Sequence, residues 1–217
     1  MTISYPDLCQ EIVQCAKKME AAGFVIGTSG NVSARVPDEA KFLITPSSLP
    51  YAEMKPEDTI LMSFEGEVLS GERSPSSEYR VHLKIYQARK DVNAVLHTHS
   101  LHASALACLH LPIPTFVDEL IMAVGGPVSV SDYAVPGSQE LADNAAAALG
   151  DRAAALLANH GTLCVGSSLV AAFHVAELLE RAAQMYLVAR TAGLPVELPA
   201  GSVEMQKMIY DYLRSSR

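Results

Sequence analysis

Three short runs rich in strand-forming residues, NVSARV (31–36), KFLIT (41–45) and TILMSF (59–64), follow one another with only turn chemistry between them. The EGEV that ends the third bends the chain once more. Runs joined by such hairpin-like links predict antiparallel strands, and this restricts the fold more than any other feature. Elsewhere, apolar positions Leu8, Ile12, Cys15, Ala16 and Met19 predict a helix over 6–22 stopped by Gly23. SPSSEYRVHLKIYQARK (74–90) opens with Ser and Pro, as helices do, and leads into the strand-like NAVLHTH (93–99).

Beyond that point SLHASALACL reads as helix, PVSVSDY as strand, and SQELADNAAAAL as a helix capped by Ser138 and stopped by Gly150. AAALLANHGTLCVG reads as one or two strands, although Ala155 to Ala158 alone would suit a helix. The clearest helix is SLVAAFHVAELLERAAQMYLVART, ended by Gly193 and Pro195, and a weaker one is expected over 203–214. Helices and strands thus alternate irregularly, which favours a mixed sheet covered by helices over a doubly wound parallel fold.

Composition sets the outer limits. The 217 residues, 49% apolar and 18% charged, suit one globular domain spanning 1–217 and exclude a disordered chain or a coiled coil. A net charge of −8 without a basic cluster argues against a nucleic-acid or anionic membrane surface, so an anionic ligand needs a locally favourable site. No apolar run approaches the length of about 18 residues needed to cross a membrane. MTISYPDLCQEIVQ lacks a basic segment followed by an apolar run, so the expected location is cytoplasmic. Cys9, Cys15, Cys108 and Cys164 have no pairing pattern and read as reduced thiols.

The chemistry gathers around AVLHTHSLH (94–102). On a strand, period two sends His97 and His99 to one face while Thr98 points away, so two imidazoles can converge on one ion. By itself such a pair is equally a hydrogen-bonding or surface feature. His160 ends another apolar run and precedes Gly161, whose missing side chain lets backbone or ligand approach. Three histidines leave an open position on a tetrahedral zinc, the pattern of a catalytic site, and Glu78 in PSSE is the carboxylate to add. At a helix start its charge is favoured by the dipole, which is also its bland explanation. His82, one turn beyond Glu78, together with His102, His110 and His174, reads as structural or exposed.

Three loops are rich in small residues and hydroxyls. GTSGNVS (27–33) can form an anion nest with help from Thr28 and Asn31, though such a loop is as often a plain turn. TPSSLPY (45–51) adds hydroxyls, and Ser76 and Ser77, expected at a helix N-terminus, would turn N–H groups to a phosphate. Amides and hydroxyls of this kind hold an anion without a basic surface.

The ordered motifs GTSGNVS, LITPSSLPY, PSSE, AVLHTHS and LLANHG resemble those of the class II aldolase/adducin family, most closely its branch acting on L-fuculose 1-phosphate, over about residues 5–190. The resemblance implies a three-layer α/β/α fold with a largely antiparallel central sheet and a homotetramer with active sites at subunit interfaces. It implies zinc, with manganese or cobalt as alternatives, held by His97, His99 and His160, and Glu78 as a carboxylate that can leave the metal and act as base. Phosphate contacts carry over to Thr28, Gly30, Asn31, Thr45, Ser47, Ser76 and Ser77. The implied reaction cleaves a ketose 1-phosphate to dihydroxyacetone phosphate and an aldehyde, the zinc polarising the ketone and stabilising an enediolate.

One departure stands out. The branch carries a tyrosine, reaching in from the neighbouring subunit, where this chain reads IPTFVDELIMAVGG. Asp118 or Glu119 takes its place, and Glu119 could donate a proton only if its surroundings raise its pKa. Tyr210 or Tyr212 is a candidate for a second family tyrosine near the C-terminus, and Tyr133 fits a Y-A-x-x-G pattern or is simply packed. Other family members decarboxylate phosphorylated 3-oxo acids or epimerise or dehydrate sugar phosphates, and the adducin branch is a non-enzymatic interaction domain. The intact Glu78, His97, His99 and His160 weigh against that last alternative.

Overall fold

The structure, a computed structural model, describes residues 5–215. Seven strands, β1 (Asn31–Arg35), β2 (Lys41–Ile44), β3 (Ile60–Ser63), β4 (Val68–Ser70), β5 (Ala94–Thr98), β6 (Ala154–Leu157) and β7 (Gly161–Gly166), form one sheet in the order β4-β3-β2-β1-β5-β7-β6. Every neighbouring pair is antiparallel. The hairpin links of 31–64 therefore do what their spacing predicts. β4 adds an exposed three-residue edge whose register slips at Leu61 and Met62, too short and irregular to leave a periodic signal.

Helices α1 (Tyr5–Ala21), α2 (Tyr79–Ala88), α3 (Leu101–Cys108), α4 (Asp118–Val124), α5 (Gln139–Leu149), α6 (Leu169–Ala192) and α7 (Ala200–Ser215) complete the chain. α2 packs with α5 on one face of the sheet, while α6 packs with α1 and α3 on the other, giving three layers. Ser138 and Ser168 cap α5 and α6 by accepting the N–H of Leu141 and Ala171, as N-cap serines do. The buried positions of α6 recur every three or four residues, from Leu169 through Ala172, Val175, Ala176 and Leu179 to Tyr186.

Two expectations need correction, and one segment without a predicted element is helical. PVSVSDY is not a strand: its hydrogen bonds are divided between two partners, Val128 with Ile113 and Ser129 and Ser131 with Leu156, so neither ladder extends. IPTFVDELIMAVGG contains α4, a helix of seven residues that periodicity over a longer window does not reveal. Finally, α2 starts only after Glu78 and not at Ser74. The Ser47 N–H bonds the Ser74 carbonyl and the Ser76 N–H bonds the Thr45 carbonyl, so 74–76 run extended beside 45–47. That pairing lays two of the hydroxyl-rich loops side by side.

The strand β5 is wholly buried in the middle of the sheet. Burying each of its inaccessible Val95 and Leu96 side chains contributes about 1.5–3 kcal/mol. An imidazole in the same strand must find polar partners to remain there.

Candidate metal centre and substrate cleft

The sheet register assembles the site. Asn31 of β1 lies opposite His97 of β5, and Leu163 of β7 lies on the other side of His97. His99 follows one residue beyond the strand, its N–H tied to the Phe24 carbonyl at 2.8 Å. The β6–β7 turn carries Asn159 at φ 53° and delivers His160 against the same spot. The three rings stand 4.7–5.1 Å apart between centroids, and their ligating nitrogens lie within 4.8 Å of one another. Gly161 permits this approach: a Cβ there would sit 2.3 Å from the Thr98 carbonyl and 2.8 Å from the His99 ring.

Glu78, at the N-cap of α2, closes the cluster. Its Oε2 is 2.9 Å from His97 Nε2 and its Oε1 is 3.2 Å from His160 Nε2. His97 Nδ1–H donates to the Thr162 carbonyl at 2.9 Å, so the neutral ring presents a bare lone pair at Nε2. That lone pair faces the Glu78 carboxylate and, at 2.9 Å, His99 Nε2. Acceptors packed this closely repel one another unless a proton or a metal cation lies among them. The His160 Nδ1 is buried without a hydrogen-bond partner, so no protein group dictates its tautomer. Three imidazoles and a carboxylate, one ring oriented by a backbone carbonyl, form a donor set suited to a divalent transition ion.

The titration behaviour expresses the same demand. Burial works against the Glu78 charge, but the His97 and His160 imidazoles and the Asn31 amide outweigh it and hold the carboxyl at about 2. Burial alone would depress His97, yet Glu78 and the Thr162 carbonyl raise it. Burial and the neighbouring rings push His99 down to about 4 and lower His160 as well.

Next to the cluster lies a cleft of about 280 Å³, lined by Glu78, His99 and His160 together with all three hydroxyl-rich loops. Of the expected phosphate contacts, Thr28, Gly30, Asn31, Ser47, Ser76 and Ser77 line it. Thr45 does not: it is fully buried behind the cleft, its hydroxyl accepting the Val32 N–H. Ser29 and Ser48 line the cleft as well and were within the quoted motifs, but nothing in composition separates them from their neighbours. The 27–31 loop is braced by Tyr51, whose hydroxyl donates to the Gly30 carbonyl at 2.7 Å.

Other candidates lie elsewhere. Glu119 lines a second, larger cavity with Tyr210, so a single chain does not bring it to the cluster. Tyr210 donates to the Asp151 carbonyl, Tyr212 is exposed, and Tyr133 is exposed and not packed. His110 pairs with Asn159 at 2.6 Å and His174 is exposed near Glu177. His102 belongs to a support that its sequence context does not reveal. Glu180 of α6 accepts the N–H groups of His102 and Ala103, at 2.9 and 3.0 Å, and bonds His102 Nδ1 at 2.7 Å. It thereby ties down the start of α3, directly after His99.

A family model described as the class II aldolase and adducin N-terminal domain matches residues 10–187. A 5-deoxy-D-ribulose 1-phosphate aldolase of Bacillus thuringiensis serovar kurstaki is 42% identical over 195 residues, 90% of this chain and 91% of its own. A 5-methylthioribulose-1-phosphate/5-deoxyribulose-1-phosphate aldolase of Rhodospirillum rubrum is 40% identical over 89% of this chain and 86% of its own. The solved structure of an L-fuculose 1-phosphate aldolase superposes with a TM-score of 0.91 at 39% identity, covering 94% of this chain and 96% of that one. The ordered motifs, the antiparallel three-layer fold and the span of these matches lead to one conclusion: the chain belongs to the class II aldolase and adducin family.

Proposed function

We propose that this chain, as a single domain over 1–217, is a divalent-metal-dependent lyase that cleaves a ketose 1-phosphate to dihydroxyacetone phosphate and an aldehyde. The observation that carries the reading is the sharing of one cleft by Glu78, two histidines of the cluster and three hydroxyl-rich loops. A zinc ion, or manganese or cobalt, held by His97, His99 and His160 supplies a Lewis acid for the substrate's carbonyl oxygen. Serine hydroxyls and backbone amides of the loops take the phosphate, which fixes the carbon chain alongside Glu78. Breaking the bond between C3 and C4 requires the C4 hydroxyl to lose its proton, and the electron pair left on C3 takes up a proton. Glu78 is the group that exchanges the proton at C3, close enough to the cluster to serve either as ligand or as base.

The proton of the departing aldehyde is assigned to Glu119. On this reading it acts from a neighbouring copy, in a cytoplasmic homotetramer with sites at the subunit boundaries, which its distance from the cluster within one chain requires. The relatives' names make 5-deoxyribulose, 5-methylthioribulose and fuculose 1-phosphates the first substrates to try. The test is incubation of the metal-loaded protein with these compounds and with phosphorylated 3-oxo acids. Release of dihydroxyacetone phosphate, trapped by its reduction, is the expected result. Carbon dioxide release instead would move the chain to the decarboxylase branch, and a protein that takes up no divalent metal and cleaves nothing would belong with the adducin-like interaction domains.

A further inference from the structure

Behind Glu78 a line of buried polar groups runs through the core between β1 and α2. Asn31 and Glu78 line the same cleft, and the Asn31 amide is close enough to the carboxylate to lower its pKa. The Asn31 Oδ1 meets His82 Nε2, His82 Nδ1 lies 2.6 Å from Ser33 Oγ, and Ser33 Oγ lies 2.7 Å from the Tyr86 hydroxyl. His82 and Ser33 are wholly inaccessible and Asn31 nearly so. Tyr86 is itself held rigidly, its ring packed against Phe42 and stacked on Phe64, with the Arg35 guanidinium over its face.

Each link has a forced direction. An ionised carboxylate only accepts, so Asn31 turns its Nδ2–H to Glu78 and its oxygen to His82. His82 Nε2 must then carry the proton. Burial holds this ring neutral, its pKa down to about 3, so Nδ1 is an acceptor and Ser33 donates to it. Ser33 in turn accepts from Tyr86. Four donors therefore point one way, towards Glu78, and reversing any one of them leaves two acceptors or two donors face to face in a dry interior.

Resting on the lyase reading above, we propose that His82 is a positioning residue for Glu78: through its Nε2–H it locks the Asn31 amide in the orientation that donates to the carboxylate, and so fixes where that base points. Asn31 on this account serves the base first and the substrate's phosphate at most second. Without the His82 donor, the Asn31 oxygen is left unpaired in a dry interior, the amide loses the contact that anchors it, and the base leaves its productive position.

His82→Leu should lower kcat about 10- to 100-fold, the usual effect of removing such an outer partner, while KM for the ketose phosphate and inhibition by inorganic phosphate change less than about threefold. His82→Gln, whose amide reaches the Nε2 position, should recover most of that kcat. His82→Asn, which reaches only the Ser33 side, should not. A rise in KM with kcat preserved, or Gln no better than Asn at equal thermal stability, overturns the proposal. A second measurement needs neither turnover nor a variant: nitrogen-15 NMR of histidine-labelled, metal-free protein should report His82 as the Nε2–H tautomer, and the Nδ1–H tautomer refutes the chain's direction. Because that spectrum is independent of which substrate is cleaved, failure of the lyase reading leaves it intact, and its own failure leaves the lyase reading standing.

Discussion

The small cleft beside His99 and the larger cavity beneath α4, α6 and α7 are opposites in how their polar groups are paired. The larger one, of about 870 Å³, is lined by Arg89, Asp91, Glu119, Tyr210 and Arg214. Most of these groups already answer one another. Arg89 holds Asp91 at 2.7 Å and also donates to the Gly150 and Arg152 carbonyls, while Arg214 lies 3.8 Å from Asp91 and bonds the Asp151 carbonyl. At the cleft of about 280 Å³, imidazole nitrogens and a carboxylate crowd one another at 2.9–3.2 Å, and the Asn31 amide serves the carboxylate but none of the rings. Volume therefore does not locate the chemistry. On the proposed reading crowded acceptors do, because a cation shared among them completes them.

The most severe way to break this contrast is to remove one acceptor. His99→Ala should cost at least about a thousandfold in kcat/KM, since loss of a Lewis acid removes several kcal/mol of transition-state stabilisation. Metal analysis of the purified variant should show sub-stoichiometric binding. Full activity with full metal content would mean that the cluster is not the ion's site. The next largest effect crosses between the two regions: if Glu119 takes the proton that the C4 hydroxyl loses, acting from a neighbouring copy, Glu119→Gln lowers kcat about a hundredfold. Mixing it with an inactive His99→Ala variant should then restore part of the activity in hybrid oligomers. An unaffected kcat would leave the larger cavity purely structural and make the contrast complete.

How much of this was legible depends on whether the signal was local. The helix 169–192, the Ser138 cap and the hairpins of 31–64 declare themselves through period and turn chemistry, and the structure follows them. His97 and His99 share a face because a strand alternates, which one sequence shows directly. His160 was legible only as a candidate, from the apolar run before it and Gly161 after it, since nothing local connects a turn after β6 to a strand sixty residues earlier. Thr45 shows a comparable limit: a hydroxyl in a polar loop looks like a ligand, while the sheet register turns it inward to Val32. The start of α2 was misjudged because SPSS has helix-start chemistry, while its N–H groups are engaged by the 45–47 segment, a partner remote in sequence. Glu180 and the chain behind Glu78 were illegible altogether, because each joins residues from elements that meet only in the folded core.

Glu180 offers a subtler way to sharpen the comparison, by asking whether the cleft is held from behind. Burial would raise its pKa, but the His102 and Ala103 N–H groups, with His102 and Ser100, bring it below the usual carboxylate range. A carboxyl whose folded-state pKa is depressed stabilises the fold above its unfolded pKa and loses that contribution as pH falls through the folded value. Glu180→Gln should therefore cost about 1–3 kcal/mol at neutral pH, the scale of hydrogen bonds to a charged group. The gap from the parent should close as the solution is acidified below the ordinary glutamate range. Denaturant unfolding across pH reads this directly. A gap that stays constant with pH would show that shape, and not charge, secures the start of α3.

The smallest effect belongs to the larger cavity. Asp91 is half-exposed, and its carboxyl is held below the usual range first by the Arg89 hydrogen bond, against a contribution from burial. Both arginines keep backbone acceptors when it is neutralised, Arg89 at Gly150 and Arg152 and Arg214 at Asp151. Asp91→Asn should consequently lower stability by less than about 1 kcal/mol, as exposed pairs do, and the difference should shrink further in high salt. Steady-state cleavage should stay within about twofold of the parent, because neither the histidine cluster nor the hydroxyl loops touch this residue. A drop in kcat/KM comparable to that of Glu119→Gln, without loss of stability, would instead tie the two cavities into one site. The contrast between reconciled and unreconciled charge would then fail as a guide to where the chemistry lies.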